Sequence, residues 1–174
     1  MKKTTLLAAT FIAALSSAAL ADETTVTMNK INENGVGESI GTIKLADSPK
    51  GLVVMPNLTG LSPGPHGFHV HENGDCSAKE KEGKQVAGLA AGGHFDPHKA
   101  GKHEGPTGHG HVGDLAALDV ASNGSATQSQ TTERLKLADI KGRSIMIHDG
   151  GDNYADQPKP LGGGGGRIAC GVIK

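Results

Sequence analysis

Aromatic side chains are almost missing from this chain: among 174 residues there is no tryptophan, one tyrosine and three phenylalanines. A hydrophobic core must therefore be built mainly from aliphatic residues. Charge of either sign is not in excess. Setting Lys2 and Lys3 aside from the 17 basic residues leaves 15 against 18 acidic ones, a net charge of −3 with neutral histidine. That mild acidity argues against nucleic acid as a partner, and no basic run is dense enough for a membrane patch. Cysteine is limited to Cys76 and Cys170. Beyond the N-terminus no long hydrophobic run exists that could cross a bilayer. A sustained helical apolar period is also lacking; Val86 to Ala91 allows one short turn, weakened by Gly88 and stopped by Gly92-Gly93.

The N-terminus has its own character. Lys2-Lys3, the apolar run Leu6 to Leu15 and the small-residue pattern Ala19-Leu20-Ala21 predict a secretory signal peptide over residues 1–21. Cleavage leaves 153 of the 174 residues, 22–174, enough for one domain with a sizeable core. Export from a bacterial cell, with the periplasm as destination, is the expectation. In an oxidising compartment an even cysteine count favours a disulfide; unpaired thiols or thiolate metal ligands are the alternatives.

What the chain does have is short strand patterns and histidine. Thr25 to Met28, Ser39 to Leu45, Leu52 to Leu58, Gly67 to His71, Leu115 to Ala121, Ala126 to Thr132, Ser144 to His148 and Ile168 to Ile173 read as strands. Turn residues separate them, and Asn123-Gly124 is a hairpin signal. About eight strands predict an all-β fold, an antiparallel Greek-key barrel or sandwich. Two long segments do not read as strands: Glu72 to Gly110, and Asp149 to Gly166 with five consecutive glycines at its end. Long ordered loops in a compact domain usually carry function. The glycine run, placed just before the last strand, points to close backbone approach or unusual dihedrals.

Nine histidines are present, eight of them between His66 and His111, with His148 alone. Imidazole suits zinc, copper, iron and nickel. On a strand His69 and His71 point to one face and can grip one ion. The pair is weak evidence alone, and Asn73 excludes the H-x-H-x-D-H pattern of metallo-hydrolases.

The full series is far more specific: HGFHVHENGDC from His66, HFDP from His94, KHEGP from Lys102, HVGDL from His111, HDGGDNY from His148 and GRIACGVI from Gly166. In this order, over essentially the whole mature chain, it resembles the copper/zinc superoxide dismutases of the secreted bacterial branch. The resemblance implies copper bound by His69, His71, His94 and His148. It implies zinc bound by His94, His103, His111 and Asp114, with His94 shared. Arg167 corresponds to the arginine that docks the superoxide anion, Asp152 to a carboxylate linking a copper histidine to a zinc histidine, and His66 to a supporting histidine that is not a ligand. Cys76 and Cys170 match the family's disulfide. His98 and His109 match no family role. Lys79, Lys81, Lys84 and Lys159 are candidates for steering an anion or plain solvated residues. Two other classes are weighed beside the dismutase: a copper-buffering protein without turnover, and a zinc hydrolase, which needs an open zinc position. The partner is superoxide, and the assembly a monomer or homodimer.

Overall fold

The computed structural model describes residues 22–174; the signal-peptide expectation lies outside the described residues. Eleven strand segments are present: β1 (Glu23–Asn32), β2 (Gly35–Ser48), β3 (Gly51–Leu58), β4 (Gly64–His66), β5 (Phe68–His71), β6 (Lys79–Lys81), β7 (Lys84–Val86), β8 (Leu118–Val120), β9 (Gln130–Thr132), β10 (Ser144–His148) and β11 (Arg167–Val172). A single helical turn, α1 (Leu137–Ile140), precedes β10. Seven strands form one antiparallel sheet in the order β5-β10-β11-β1-β2-β3-β9. The segment from Gly113 to Ala126 links its two sides. Val70 N donates to Gly113 O and Leu115 N to Phe68 O at one end, while Ala126 N donates to Leu58 O at the other. The sheet thus curls around a single interior.

Each of the eight expected strand runs contains a strand. The Asn123-Gly124 expectation is only half met. A tight turn does form there, with Ala121 N donating to Ser125 O at 2.8 Å. Its two arms then part, because β8 pairs with β4 while β9 pairs with β3. Each arm pairs with a different strand, so the turn changes direction between sheets instead of closing a hairpin. The small hairpin β6–β7 was not expected. Its sequence KEKEGKQV alternates without an apolar face, and every residue of both strands is exposed.

Aliphatic residues fill the interior, as the scarcity of aromatics requires. Val26, Met28, Ile40, Ile43, Leu45, Leu52, Val54 and Leu58 come from β1 to β3; Phe68 and Phe95 are the only aromatic rings of the main cluster. Burial on β1 follows every second residue at Val26 and Met28, then skips to Ile31. Ile31 has the opposite parity to Met28 and is buried on the other face of the sheet. A second, smaller cluster outside the barrel joins Ile31, Ala91 and Met146 to the disulfide Cys76–Cys170. Its Cα atoms lie 5.7 Å apart across a separation of 94 residues. The alternatives for the two cysteines are thereby closed. Among the described residues no helix is long and apolar enough to cross a membrane.

Candidate metal centre

Strand β5 builds the site. All four of its residues are buried, Phe68 and Val70 toward the core and His69 and His71 toward the other face. On one side β5 pairs with β10, setting His69 opposite Met146 and His71 opposite Ser144. Its other edge receives two irregular stretches in succession. His71 bridges to His94, and His69 bridges to Asp114. Phe95 N donates to Val70 O at 2.8 Å and Glu72 N to Gly93 O at 3.0 Å, so the loop histidine His94 is set in place by strand-type bonds. His148, at the end of β10, completes the cluster through its own bond from N–H to Gly67 O.

Two groups of potential ligand atoms result. His69, His71, His94 and His148 offer atoms that all lie within 4.8 Å of one another, as do His69, His94, His103 and Asp114; every one of these residues is buried. The rings of His69 and His94 stack with centroids 3.9 Å apart. His111 is not in the second group, but its Nδ1 stands 3.5 Å from Asp114 Oδ1. Asp114 Oδ1 accepts from His94 Nδ1 at 2.8 Å. His103 Nδ1 is 2.8 Å from Asp114 Oδ2, yet the pair lacks hydrogen-bond alignment, and both atoms count as unpartnered. Close approach without alignment is what two groups aimed at a common third point would show.

The fit to metal ions rests on orphaned atoms. His69 Nδ1, His94 Nε2, His103 Nδ1, His111 Nδ1 and Asp114 Oδ2 are all buried without a hydrogen-bond partner. Leaving a buried polar atom unpaired costs about 1–3 kcal/mol, and five such atoms in and beside the two groups call for partners that the protein itself does not supply. In the first group His71 donates Nδ1–H to Gly92 O at 3.0 Å, so its Nε2 carries a lone pair. That lone pair faces His148 Nε2 at 3.4 Å. A cation between them would accept a lone pair from each nitrogen. Protonation is suppressed: burial pushes His148 down to about 3 and His94 to about 4, and lowers His69 and His71 as well. These imidazoles are neutral at pH 7, the form that ligates. For His103, burial opposes the charged form, but the carboxylates of Asp114 and Asp152 outweigh it and raise the group to about 9. Burial works against ionisation of Asp114 and Asp152, yet the imidazole of His103, close to both, with His94 beside Asp114 and His69 beside Asp152, holds both carboxyls well below the usual range.

Comparison with known proteins follows the same lines. The model of the family described as copper/zinc superoxide dismutase (SODC) matches residues 39–173. The chain belongs to the copper/zinc superoxide dismutase family. Superoxide dismutase [Cu-Zn] 2 of Salmonella typhimurium is 51% identical over 175 residues, covering 100% of both chains. The structure of the Cu/Zn superoxide dismutase from Brucella abortus superposes with a TM-score of 0.86 at 50% identity, covering 88% of this chain and 100% of that one. The monomeric copper, zinc superoxide dismutase from Salmonella enterica gives 0.80 at 53% identity, with coverage of 88% and 100%. Copper and zinc are the metals of this family, and a neutral imidazole set beside a set holding one carboxylate suits them in that order.

Around the superoxide dismutase centre, the remaining expected residues take definite places. Asp152, its side chain fully buried, accepts from His69 Nε2 at 2.8 Å and His103 Nε2 at 2.7 Å, and so joins the two groups. It also accepts from Tyr154 N at 2.8 Å. His66 engages both ring nitrogens, Nδ1 with His148 O at 2.6 Å and Nε2 with Ser62 O at 2.8 Å, and has none left for a metal. Arg167, half-buried, donates to Gly88 O at 2.5 Å and Gly92 O at 2.7 Å. Gly92 O therefore orients both Arg167 and His71. The glycine run behaves as its position implied: Gly162, Gly163 and Gly165 have φ of 70°, 77° and 68°. A Cβ on Gly162 would overlap the Asp152 carboxylate. His98 and His109 are exposed, away from the groups. Lys79, Lys81 and Lys84 stand on the exposed hairpin, and Lys159 lines a cavity mouth with His148. Sequence reasoning missed Tyr154, whose hydroxyl accepts from Ala117 N at 3.0 Å; its position two residues after Asp152 was the only signal.

Proposed function

We propose that this chain dismutates superoxide, converting two superoxide anions and two protons to oxygen and hydrogen peroxide. The observation that carries this reading is the pair of adjacent buried ligand groups, which have His69 and His94 in common. In it, His69, His71, His94 and His148 hold copper, and His94, His103, His111 and Asp114 hold zinc. Copper, when bound, would supply the one-electron couple that dismutation of two superoxide anions needs, and zinc would be structural. His94 faces the copper group through Nε2 and Asp114 through Nδ1, so Nε2 is the atom that carries a proton toward the reduced anion. Arg167 docks the anion. Its guanidinium has five N–H donors, and the bonds to Gly88 O and Gly92 O leave donors free near His71 and His148. Asp152 keeps the protons of His69 and His103 on Nε2, so that Nδ1 of each is free to ligate. Lys159, by position, adds positive potential at the mouth.

Superoxide decay with the copper- and zinc-loaded protein tests this, run beside Arg167→Ala. Fast decay that slows in the variant supports it. Decay no faster than free-copper controls, with both metals bound, removes the activity and leaves a metal-binding protein. Residues 1–21 act as a cleaved signal peptide that delivers residues 22–174 to the periplasm; a mature N-terminus at Asp22 by mass spectrometry of the periplasmic fraction is the expected result. The chain works as a monomer or homodimer, and sedimentation distinguishes the two.

A further inference from the structure

We propose that Arg134 is a positioning residue for the second metal group, closing the loop between His103 and His111 so that both face Asp114 before any ion arrives. This rests on the ligand reading above. The loop has almost no regular structure of its own. It is pinched at the neck, where His111 N donates to Lys102 O at 2.9 Å. Arg134 reaches in from a different part of the chain and donates from one end of its fork to Gly105 O at 3.2 Å and from the other to Gly110 O at 2.6 Å. Those carbonyls lie two residues after His103 and one before His111. A planar guanidinium fixes the separation of two acceptors, which a lysine ammonium on a flexible stem does not.

The anchor is rigid. Leu135, next to Arg134, is fully buried in the main core with Leu137 and Ile140, and Arg134 N donates to Thr132 Oγ1. On its other face Gly105 meets the Tyr154 ring so closely that a Cβ there would overlap it. Gly105 is therefore held between Arg134 and Tyr154, and the ligands at either end of the loop inherit that placement. Residues that support ligands from behind typically change metal affinity by roughly 10- to 100-fold when removed.

The test uses the full mature chain, stripped of metal, with zinc affinity measured by competition against a chromophoric chelator. Amide hydrogen exchange is followed in the metal-free state. The parent is expected to take up zinc, and its failure to do so would sink the ligand reading itself. Given a zinc-binding parent, Arg134→Met should lose about 10- to 100-fold in zinc affinity and exchange faster at the amides of 105–111. Arg134→Lys, which reaches one carbonyl at a time, should lose less but still bind measurably more weakly than the parent. Should Arg134→Met not fold, Arg134→Lys carries the test alone. Parent-like zinc affinity in the folded variants, even with a lowered melting temperature, would show a merely structural arginine and overturn the proposal.

Discussion

Replacing Asp152 by asparagine separates the two metal groups. Three N–H donors converge on this carboxylate: His103 Nε2 and Tyr154 N on Oδ1, and His69 Nε2 on Oδ2. Asparagine preserves the shape but offers one carbonyl oxygen and an NH2, so at least one imidazole N–H must face another donor. That imidazole can escape only by moving its proton to Nδ1, the nitrogen turned toward the metal. With the carbonyl oxygen in the Oδ1 position two of the three donors are kept, so the NH2 falls against His69 Nε2. Copper binding should therefore weaken more than zinc binding. Lost supporting bonds of this kind cost roughly 10- to 100-fold in affinity, about 1.4–2.7 kcal/mol. Metal retained after graded chelator dialysis, measured by elemental analysis, reads both groups at once. Unchanged copper affinity, or a loss confined to zinc, would refute the reasoning about tautomer and donor count.

Arg167→Ala should slow superoxide decay by about one to two orders of magnitude, since a charge-assisted hydrogen bond is worth about 1.5–3 kcal/mol, while copper and zinc content stay at parental levels; loss of metal would instead assign Arg167 to holding the site. Cys170→Ser removes a cross-link spanning 94 residues, worth about 4–5 kcal/mol on the loop-entropy estimate, and calorimetry should show the melting temperature falling by about 10–20 °C. Gly162→Ala should reduce metal retention, because its Cβ would overlap Asp152. Gly60→Ala, at a similar φ of 74° with open space around it, should cost only stability, and equal metal loss in both variants would contradict the close-approach account.

The metal centre was more legible than the scaffold that shapes it. His69 and His71 betray themselves by spacing, since a strand of period two puts both on one face. Pairing them with His94, His103, His111, Asp114 and His148 took the family likeness, because those residues arrive from loops without periodic signal. Arg134 and Tyr154 were illegible for a related reason: they act through backbone carbonyls and amides, and any sequence offers those everywhere. The strand runs were visible wherever one face is buried. The hairpin β6–β7, exposed on both faces, leaves no hydrophobic pattern to read, and the parting of β8 and β9 after Asn123-Gly124 depends on partners remote in sequence. The glycine run was readable as a constraint, but not as the gap that accommodates the Asp152 carboxylate.

Strand β5 presents a different kind of constraint on the lineage that carries it. Phe68 and Val70 alternate with His69 and His71, so the barrel interior and the ligand set are two sides of four consecutive residues. An insertion or deletion here exchanges the sides wholesale, so core and ligands are lost together. Drift at Phe68 or Val70, by contrast, moves the floor beneath two imidazoles without altering a ligand. Divergence in this family should therefore proceed by repacking behind the strand, and descendants that abandon the metals can keep the barrel only by leaving its phase untouched.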